Sequence, residues 1–288
     1  MENRPTQTAV GPMVIVAIDQ GEEHPLIHDE LAHRILPAGM RTLVALTRPR
    51  PVRRWMAGAM EKKAPGMWAS FLCRKRYIDD KLLEAVEAGI DATVILGAGL
   101  DTRAYRLPAL AKTPVYEVDL PDNIKRKRTL LHKLYGKVPD GVTLVPVDFE
   151  TQDLGSALVA QGYDNGAKTF FVWEAVTQYL TEDGVRKTFD FLATAHPGSG
   201  LVFTHLRKDF LDGTAFYGAE ALHQQYKVKR RLWHFGLNPE HIAAFLAEYG
   251  WRDVEQPSPQ EFTTRYVQPA GRNLPVSEVE RSVYAEKI

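Results

Sequence analysis

The chain of 288 residues has a single cysteine, Cys73. No intrachain disulfide can form, which is the usage expected of a protein kept in a reducing cytosol. A lone cysteine is most often a small buried hydrophobe, so Cys73 is read neither as a nucleophile nor as a metal ligand. Net charge is also missing. Thirty-six Lys and Arg balance 36 Asp and Glu, so no global field argues for nucleic acid or an anionic membrane as partner. No apolar run reaches the roughly 18 residues that a bilayer crossing needs. The segment "AVGPMVIVAI" is shorter, and no basic stretch precedes it as in a signal peptide. Internal repeats and low-complexity tracts are absent. What remains is the expectation of a cytoplasmic globular protein, 44% apolar and 25% charged, long enough to bury a large core.

The texture of the chain changes along its length. Residues 1 to about 13 are expected as a loose tail. From Pro25 to Met67 the pattern is helical: "HDELAHRILPAGMRTLVALT" spaces its apolar residues for a helix and is broken at Pro37 and Gly39. "RKRYIDDKLLEAVEAGI" is one more helix, stopped by Gly89. Beyond it, short apolar runs at 92–96, 114–118, 142–146, 169–173 and 201–206 predict strands. Helices are predicted between them at 122–135, 151–162 and 182–195. Continuous apolar strands separated by helices indicate a parallel sheet covered on both faces. "NPEHIAAFLAEYGWRDVE" reads as a capped helix entering a strand, and "ERSVYAEKI" as a final strand. The expected organisation is a helical cap over 1–80 and one α/β domain over 81–288, with 207–237 as a long helical lid.

The first strand runs into "VILGAGLDTRAYRL" (94–107). Gly97 and Gly99 let the backbone turn tightly and approach a ligand at a strand's carboxyl end. A dinucleotide site asks for a third glycine, which allows close helix–strand packing. Thr102 stands there instead, between Asp101 and Arg103. A carboxylate beside a pyrophosphate is electrostatically unfavourable, so a ligand without phosphates, or a cationic one, fits better. Strand 2 ends "YEVDLP", placing Asp119 twenty residues after Gly99. An acid at that position accepts hydrogen bonds from ribose hydroxyls; the structural alternative is a helix cap before "PDNIKRK". Glu117 is the weaker candidate on the same strand. Strand 3 ends "VPVDFE". Asp148 suits an exocyclic amine, and Phe149 a flat base that its ring packs on and its amide reaches. The alternative is an N-cap aspartate and a core phenylalanine. Strand 4 leaves "VWEAVTQYL". Glu174 suits an ammonium or sulfonium there, or else simply starts the next helix.

Four strand ends thus offer glycines, an acid, an acid with an aromatic ring, and an acid. A ribose, a base and an amino-acid ammonium satisfy all four, and S-adenosyl-L-methionine carries these with no phosphate. Its α-carboxylate needs a cation, for which Arg74 is the candidate, with Arg76 and Arg103 as competitors. The motifs "RKRYIDD", "VILGAGLDTRAYRL", "YEVDLP", "VPVDFE", "WEAVTQYL" and "FGLNPEHIAAFLAEYGW" occur in order over roughly residues 70–255. This set resembles the leucine carboxyl methyltransferase-like family, which includes eukaryotic phosphatase carboxyl methyltransferases and many bacterial O-methyltransferases, some acting on polyketides. The resemblance implies a Rossmann-like methyltransferase fold: a seven-stranded, mostly parallel sheet with an antiparallel last strand and a helical cap. It also implies S-adenosyl-L-methionine as cofactor, bound by Arg74, Gly97, Gly99, Asp119, Asp148, Phe149 and Glu174. Two departures stand out. Many relatives have leucine at position 149, and they usually read "EG" where this chain has Glu174-Ala175, which puts that local turn in question.

The methyl acceptor is expected to be a small molecule bearing a carboxylate or a hydroxyl. Candidate catalytic residues are Arg207, His205 and Tyr179, with Tyr217 and His234 behind them. Arg207 would hold a carboxylate through a bidentate contact. Two alternatives remain: methylation of a protein's C-terminal carboxylate, and a non-catalytic binding protein on the same scaffold. His24, His28 and His33 lack a further strong ligand and predict no metal site. "IKRKR" (124–128) is expected as the solvated face of a helix, and "YKVKRRLWHF" (226–235) as a surface helix in the lid.

Overall fold

The short apolar runs after Gly89 form a sheet whose central strands are shielded from water on both faces. The computed structural model describes residues 10–288. Strands β1 (Ala92–Leu96), β2 (Val115–Asp119) and β4 (Thr169–Trp173) are buried at every position, as parallel strands covered on two sides must be. Between and beyond them lie β3 (Val142–Pro146), β5 (Gly200–Arg207), the two-residue β6 (Gly236–Leu237), β7 (Trp251–Glu255) and β8 (Glu280–Lys287). The order across the sheet is β3-β2-β1-β4-β5-β8-β7, with β6 added at the end of β5. β8 is antiparallel to both β5 and β7. The pairings among β1 to β5 are all parallel. The expected seven-stranded, mostly parallel sheet with an antiparallel last strand is therefore present. Chain order reverses between β1 and β4, which opens a crevice outside the carboxyl ends of the strands.

Five helices precede the sheet: α1 (Val10–Asp19), α2 (Ala32–Ile35), α3 (Ala38–Leu46), α4 (Arg50–Lys63) and α5 (Met67–Glu87). The tail expected up to residue 13 ends earlier, because Val10–Met13 open α1; residues 1–9 lie outside the described residues. Helix α1 is apolar almost all round, and such a helix must be enclosed by protein. Val16 and Ile18 share one core with Leu72 and Ile78 of α5, Ile95 of β1 and Val172 of β4. The boundary expected at residue 80 falls inside α5. The opposite face of the sheet is covered by α8 (Leu154–Val159), α9 (Glu182–Ala193) and α12 (Ile242–Ala247), whose Leu158, Phe189 and Leu246 join Val94, Phe171 and Phe203.

The stretch expected as a long helical lid is instead broken into α10 (Lys208–Leu211), α11 (Glu220–Leu222) and a π-helical turn over 223–229. Gly213 and Gly218 adopt left-handed φ values of 76° and 75°, and Tyr217 does so at 52°. Three such residues in six positions cannot continue a right-handed helix. At the other end, Asn238 does not cap α12. Its side chain accepts the Asp209 amide at 3.2 Å, and a 3₁₀ turn (Pro239–His241) leads into the helix.

Helix α7 (Pro121–Tyr135) corrects a second expectation. In "IKRKR", Lys127 is 2% exposed rather than solvated. It lies three residues after Ile124 and four before Leu131, both buried, and so belongs to the helix's inward stripe. Its ammonium donates to Glu117 at 2.7 Å and to the carbonyls of Asp101 and Ala98 at 3.0 and 3.2 Å. The lysine thus ties the glycine turn to β2. Tyr105 donates to the same Glu117 at 2.6 Å. Burial pushes the Glu117 carboxyl up, with the Lys127 charge opposing it. Removing one partner of a buried pair strands the other. Lys127→Met is therefore expected to lower unfolding free energy by about 3–5 kcal/mol in urea denaturation, and adding Glu117→Gln should recover most of that. Equal losses in the single and double variants would contradict this role.

Candidate active site

A cavity of about 800 Å³ opens at the carboxyl ends of the strands. Gly97, Gly99, Asp119, Asp148, Phe149 and Glu174 all line it, as expected from their strand-end positions. Gly97 has φ +73°, and a Cβ there would stand 2.2 Å from Val176 Cγ2. The glycine is thus required by the turn that follows β4 as well as by its own turn. The amides of Gly97 and Ala98 both donate to the Val118 carbonyl, at 2.8 and 2.9 Å. The Gly99 amide donates to Asp119 Oδ2 at 2.6 Å, while Asp119 Oδ1 accepts from Leu120 N and Asn123 Nδ2, each at 2.7 Å. Asp119 therefore anchors the turn and borders the cavity, while the N-cap position of the following helix is Leu120. Asp148 organises the next turn: its side chain accepts from Glu150 N at 3.0 Å and its carbonyl from Gln152 N at 2.9 Å. Phe149 is buried in the core on the α9 side of the sheet.

Behind the turn lies a buried ion cluster. Arg74 of α5 meets Glu174 at 2.9 Å and also binds Glu280 of β8. Lys75 reaches Glu174 at 3.2 Å. Arg103, which opens α6 (Arg103–Arg106), donates to Asp79 at 2.7 Å, to Glu174 at 2.8 Å, to the Lys75 carbonyl at 3.2 Å and to Asp101. Burial alone pushes the Glu174 carboxyl up, but the charges of Lys75, Arg74 and Arg103 outweigh it and hold it well below the ordinary carboxylate range. Burial likewise raises Asp101, and Arg103, Lys75 and Lys127 reverse the sign. Asp101 is therefore not the bare charge that the sequence suggested; Arg103 neutralises it. The steric part of the case against a dinucleotide stands. Thr102 fills the third-glycine position, is 2% exposed and donates to Asp29 at 2.6 Å.

Lys75, Asp79 and Glu280 were not singled out by sequence. The first two lie beside the apolar stripe of α5, a weak signal in a run as charged as "RKRYIDD". Glu280 had no local signal. The antiparallel register that sets it opposite Leu206 brings it to the cavity, where Thr204 Oγ1 donates to it at 2.8 Å. Of the arginines weighed against Arg74, Arg76 pairs with Asp80 at 2.9 Å on the outer side of α5, and Arg103 is enclosed in the cluster.

Of the three candidate catalytic residues, only Tyr179 lines the cavity. Alternation along β5 turns His205 to the opposite face of the sheet, where its ring sits 6.1 Å from that of Phe203. Burial lowers its pKa to about 4, leaving it neutral near pH 7. Arg207 is held by Asp209 at 2.8 Å, and Tyr217 donates to the same carboxylate. The cation expected to receive the acceptor is thus committed to a neighbour outside the cavity. His234 is exposed, and its amide donates to the Gln178 carbonyl at 2.7 Å. Among the described residues, no group of three or more His, Cys, Asp or Glu is placed to hold a metal, and no helix is long and apolar enough to cross a membrane.

Ala175 occupies the position at which relatives were expected to have glycine. It keeps a left-handed φ of 57°, and its amide donates to Thr204 Oγ1 at 2.8 Å. The turn has the shape that glycine would allow, and an alanine bears the strain.

The family model described as leucine carboxyl methyltransferase matches residues 9–193. A Mycobacterium avium protein, provisionally named an S-adenosyl-L-methionine-dependent methyltransferase, is 34% identical over 204 residues, 68% of this chain and 66% of that protein. A Frankia alni protein with the same provisional name is 32% identical over 187 residues, 64% of this chain and 62% of its own length. Less than two thirds of either relative is spanned. Among solved structures, a provisionally named methyltransferase from Thermobifida fusca superposes with a TM-score of 0.57 at 18% identity, covering 96% of this chain and 94% of that one. A DUF574 family protein from Streptomyces avermitilis gives 0.55 at 17% identity, covering 83% and 91%. These two likenesses concern the fold.

Two measurements check the site. Ala175→Gly is expected to raise unfolding free energy by about 0.5–1 kcal/mol in urea denaturation, since glycine relieves the left-handed strain. A loss of stability would show that the turn is not strained. Glu174, ionised in the fold below its ordinary pKa, contributes stability that is present above about pH 4.5 and is lost as pH falls below it. Glu174→Gln should flatten the dependence of stability on pH between about 4.5 and 3 by up to about 1.4 kcal/mol per pH unit. An unchanged slope would mean that the folded chain protonates Glu174 as readily as the unfolded one.

Proposed function

The chain belongs to the leucine carboxyl methyltransferase family, and from that premise we propose that it is an S-adenosyl-L-methionine-dependent methyltransferase acting on an oxygen of a small molecule. The observation that carries this reading is the convergence of four successive strand ends on one cavity, each with the group that one part of this cofactor requires. Asp119 takes the ribose hydroxyls. Asp148 takes the adenine amine, and the Phe149 amide a ring nitrogen. Arg74 takes the carboxylate, and Glu174, set among Arg74, Lys75 and Arg103, fixes the amino-acid end.

When bound, the cofactor supplies an electrophilic methyl: the acceptor oxygen forms the new C–O bond and the electron pair of the broken C–S bond returns to sulfur. A carboxylate acceptor is already ionised and loses no proton; a hydroxyl acceptor releases one proton to water. The protein's part is alignment and exclusion of water. Tyr179 is the catalytic candidate retained, because it borders the cavity while His205 and Arg207 do not. The family's description favours a second reading, a protein C-terminal carboxylate as acceptor.

Calorimetry with S-adenosylhomocysteine tests the cofactor assignment. Asp119→Ala is expected to weaken binding on the order of 10- to 100-fold, the worth of hydrogen bonds to a charged group. Unchanged affinity would overturn the ribose assignment, and no binding by the unaltered chain would favour a non-catalytic scaffold. Turnover of labelled cofactor against acids, phenols and C-terminal peptides separates the two acceptor readings.

A further inference from the structure

Five of the chain's six methionines border the same cavity: Met13, Met40, Met56, Met60 and Met67. They come from four helices, α1, α3, α4 and α5. Met40, Met56 and Met60 pack against the core but are only partly buried, so each keeps some surface free. Methionine is unbranched and polarizable, adapts to irregular shapes and makes favourable contacts with aromatic rings. Rings join this wall from both sides: Trp68 and Phe71 from α5, and Tyr226 stacked on Trp233 at 4.8 Å and 21°.

Charge is divided sharply along the cavity. All of its charged lining residues belong to α5, the strand ends with the turns that follow them, and the start of β8. The lining contributed by α1, α3, α4 and the segment after β5 carries none. The cations lining the cavity, Arg74 and Lys75, are engaged by Glu174 and Glu280, and the one carboxylate assigned to Arg74 is the cofactor's own. A carboxylate entering against the methionine wall would lose its hydration and find no unspent cation, a costly exchange. An uncharged molecule pays no such penalty. Polar complement is nonetheless present: Gln178 Oε1 and Trp233 Nε1 belong to lining residues, are buried, and lack hydrogen-bond partners. One is an acceptor and the other a donor, the two roles that a hydroxyl can play.

We infer that the methionine-walled half of the cavity is the acceptor subsite, and that it selects an uncharged, ring-bearing molecule whose reacting group is a hydroxyl rather than a carboxylate. The inference rests on the methyl-transfer reading above and narrows it. In balance, the acceptor's O–H bond breaks, its proton goes to water, its oxygen bonds the methyl carbon, and the C–S electron pair stays with sulfur.

The test compares 2-naphthol with 2-naphthoate, which share a ring and differ in charge, by calorimetry on the full chain already loaded with S-adenosylhomocysteine. The naphthol is expected to bind at least tenfold more tightly. Met56→Lys, which sets a cation in the wall, should narrow or reverse that ratio, and Met56→Leu should preserve it, while both variants bind S-adenosylhomocysteine within about twofold of the unaltered chain. Naphthoate binding as tightly as naphthol, or no naphthol binding to a chain that does bind S-adenosylhomocysteine, would overturn the inference. A ratio unmoved by Met56→Lys would overturn the placement of the subsite. Failure of the unaltered chain to bind S-adenosylhomocysteine would instead fail the methyl-transfer reading, so the two are told apart.

Discussion

The structure turns on one buried carboxylate. Glu174 leaves β4 at the point where the sheet's chain order reverses, and Arg74, Lys75 and Arg103 all close on it. Those cations come from α5 and from the helix that follows the glycine turn. One acid thereby joins the N-terminal helices, the first strand's turn and the fourth strand. A charge so deeply buried is tolerated only when it is paired and hydrogen-bonded, and breaking such a set leaves uncompensated charge in a medium that does not screen it. Asp79, Asp101 and Glu280 pair with the same cations. The cavity wall at this end is therefore held rigid before any ligand arrives.

Two neighbouring turns follow from that constraint. The chain must leave Glu174 sharply, which puts Ala175 in a left-handed conformation and swings Val176 against Gly97. The glycine turn in its place is held from above by Asp119 and from below by Lys127. Position 97 is glycine for two reasons at once, its own φ and the side chain packed upon it. The other end of the cavity is built differently, from side chains that bend, with methionines from four helices and no charge. A stiff polar half and an adaptable apolar half suit a fixed ligand beside a shaped, uncharged one.

Much of this was legible in order along the chain. The strands at 92–96, 142–146 and 169–173 coincide with those observed; the first and third are continuous apolar runs because both their faces are covered, and the second is short and β-branched at the sheet's edge. Asp119, Asp148 and Glu174 were recognisable because each follows such a run immediately. Local pattern failed where a charge had a distant partner. Lys127 looked like part of a solvated basic run, although its spacing from Ile124 and Leu131 already marked it as inward. Asp101 looked bare because Arg103, two residues away, gives no sign in sequence that its side chain turns back. His205 and Arg207 looked like acceptor residues because they end a strand, yet alternation sends one through the sheet and Asp209 claims the other.

The sequence by itself determined the class of fold, the order of the strands' contributions and the family, since these depend on periodicity and on residues adjacent in the chain. Tertiary structure alone decided which charges are spent and which remain. Ion pairing is a matter of a few ångströms in space, and Glu280 stands 206 residues from the Arg74 it binds. It also decided that five methionines scattered between positions 13 and 67 form one wall, because no helix carrying them records in its own pattern what the other three present to the same space.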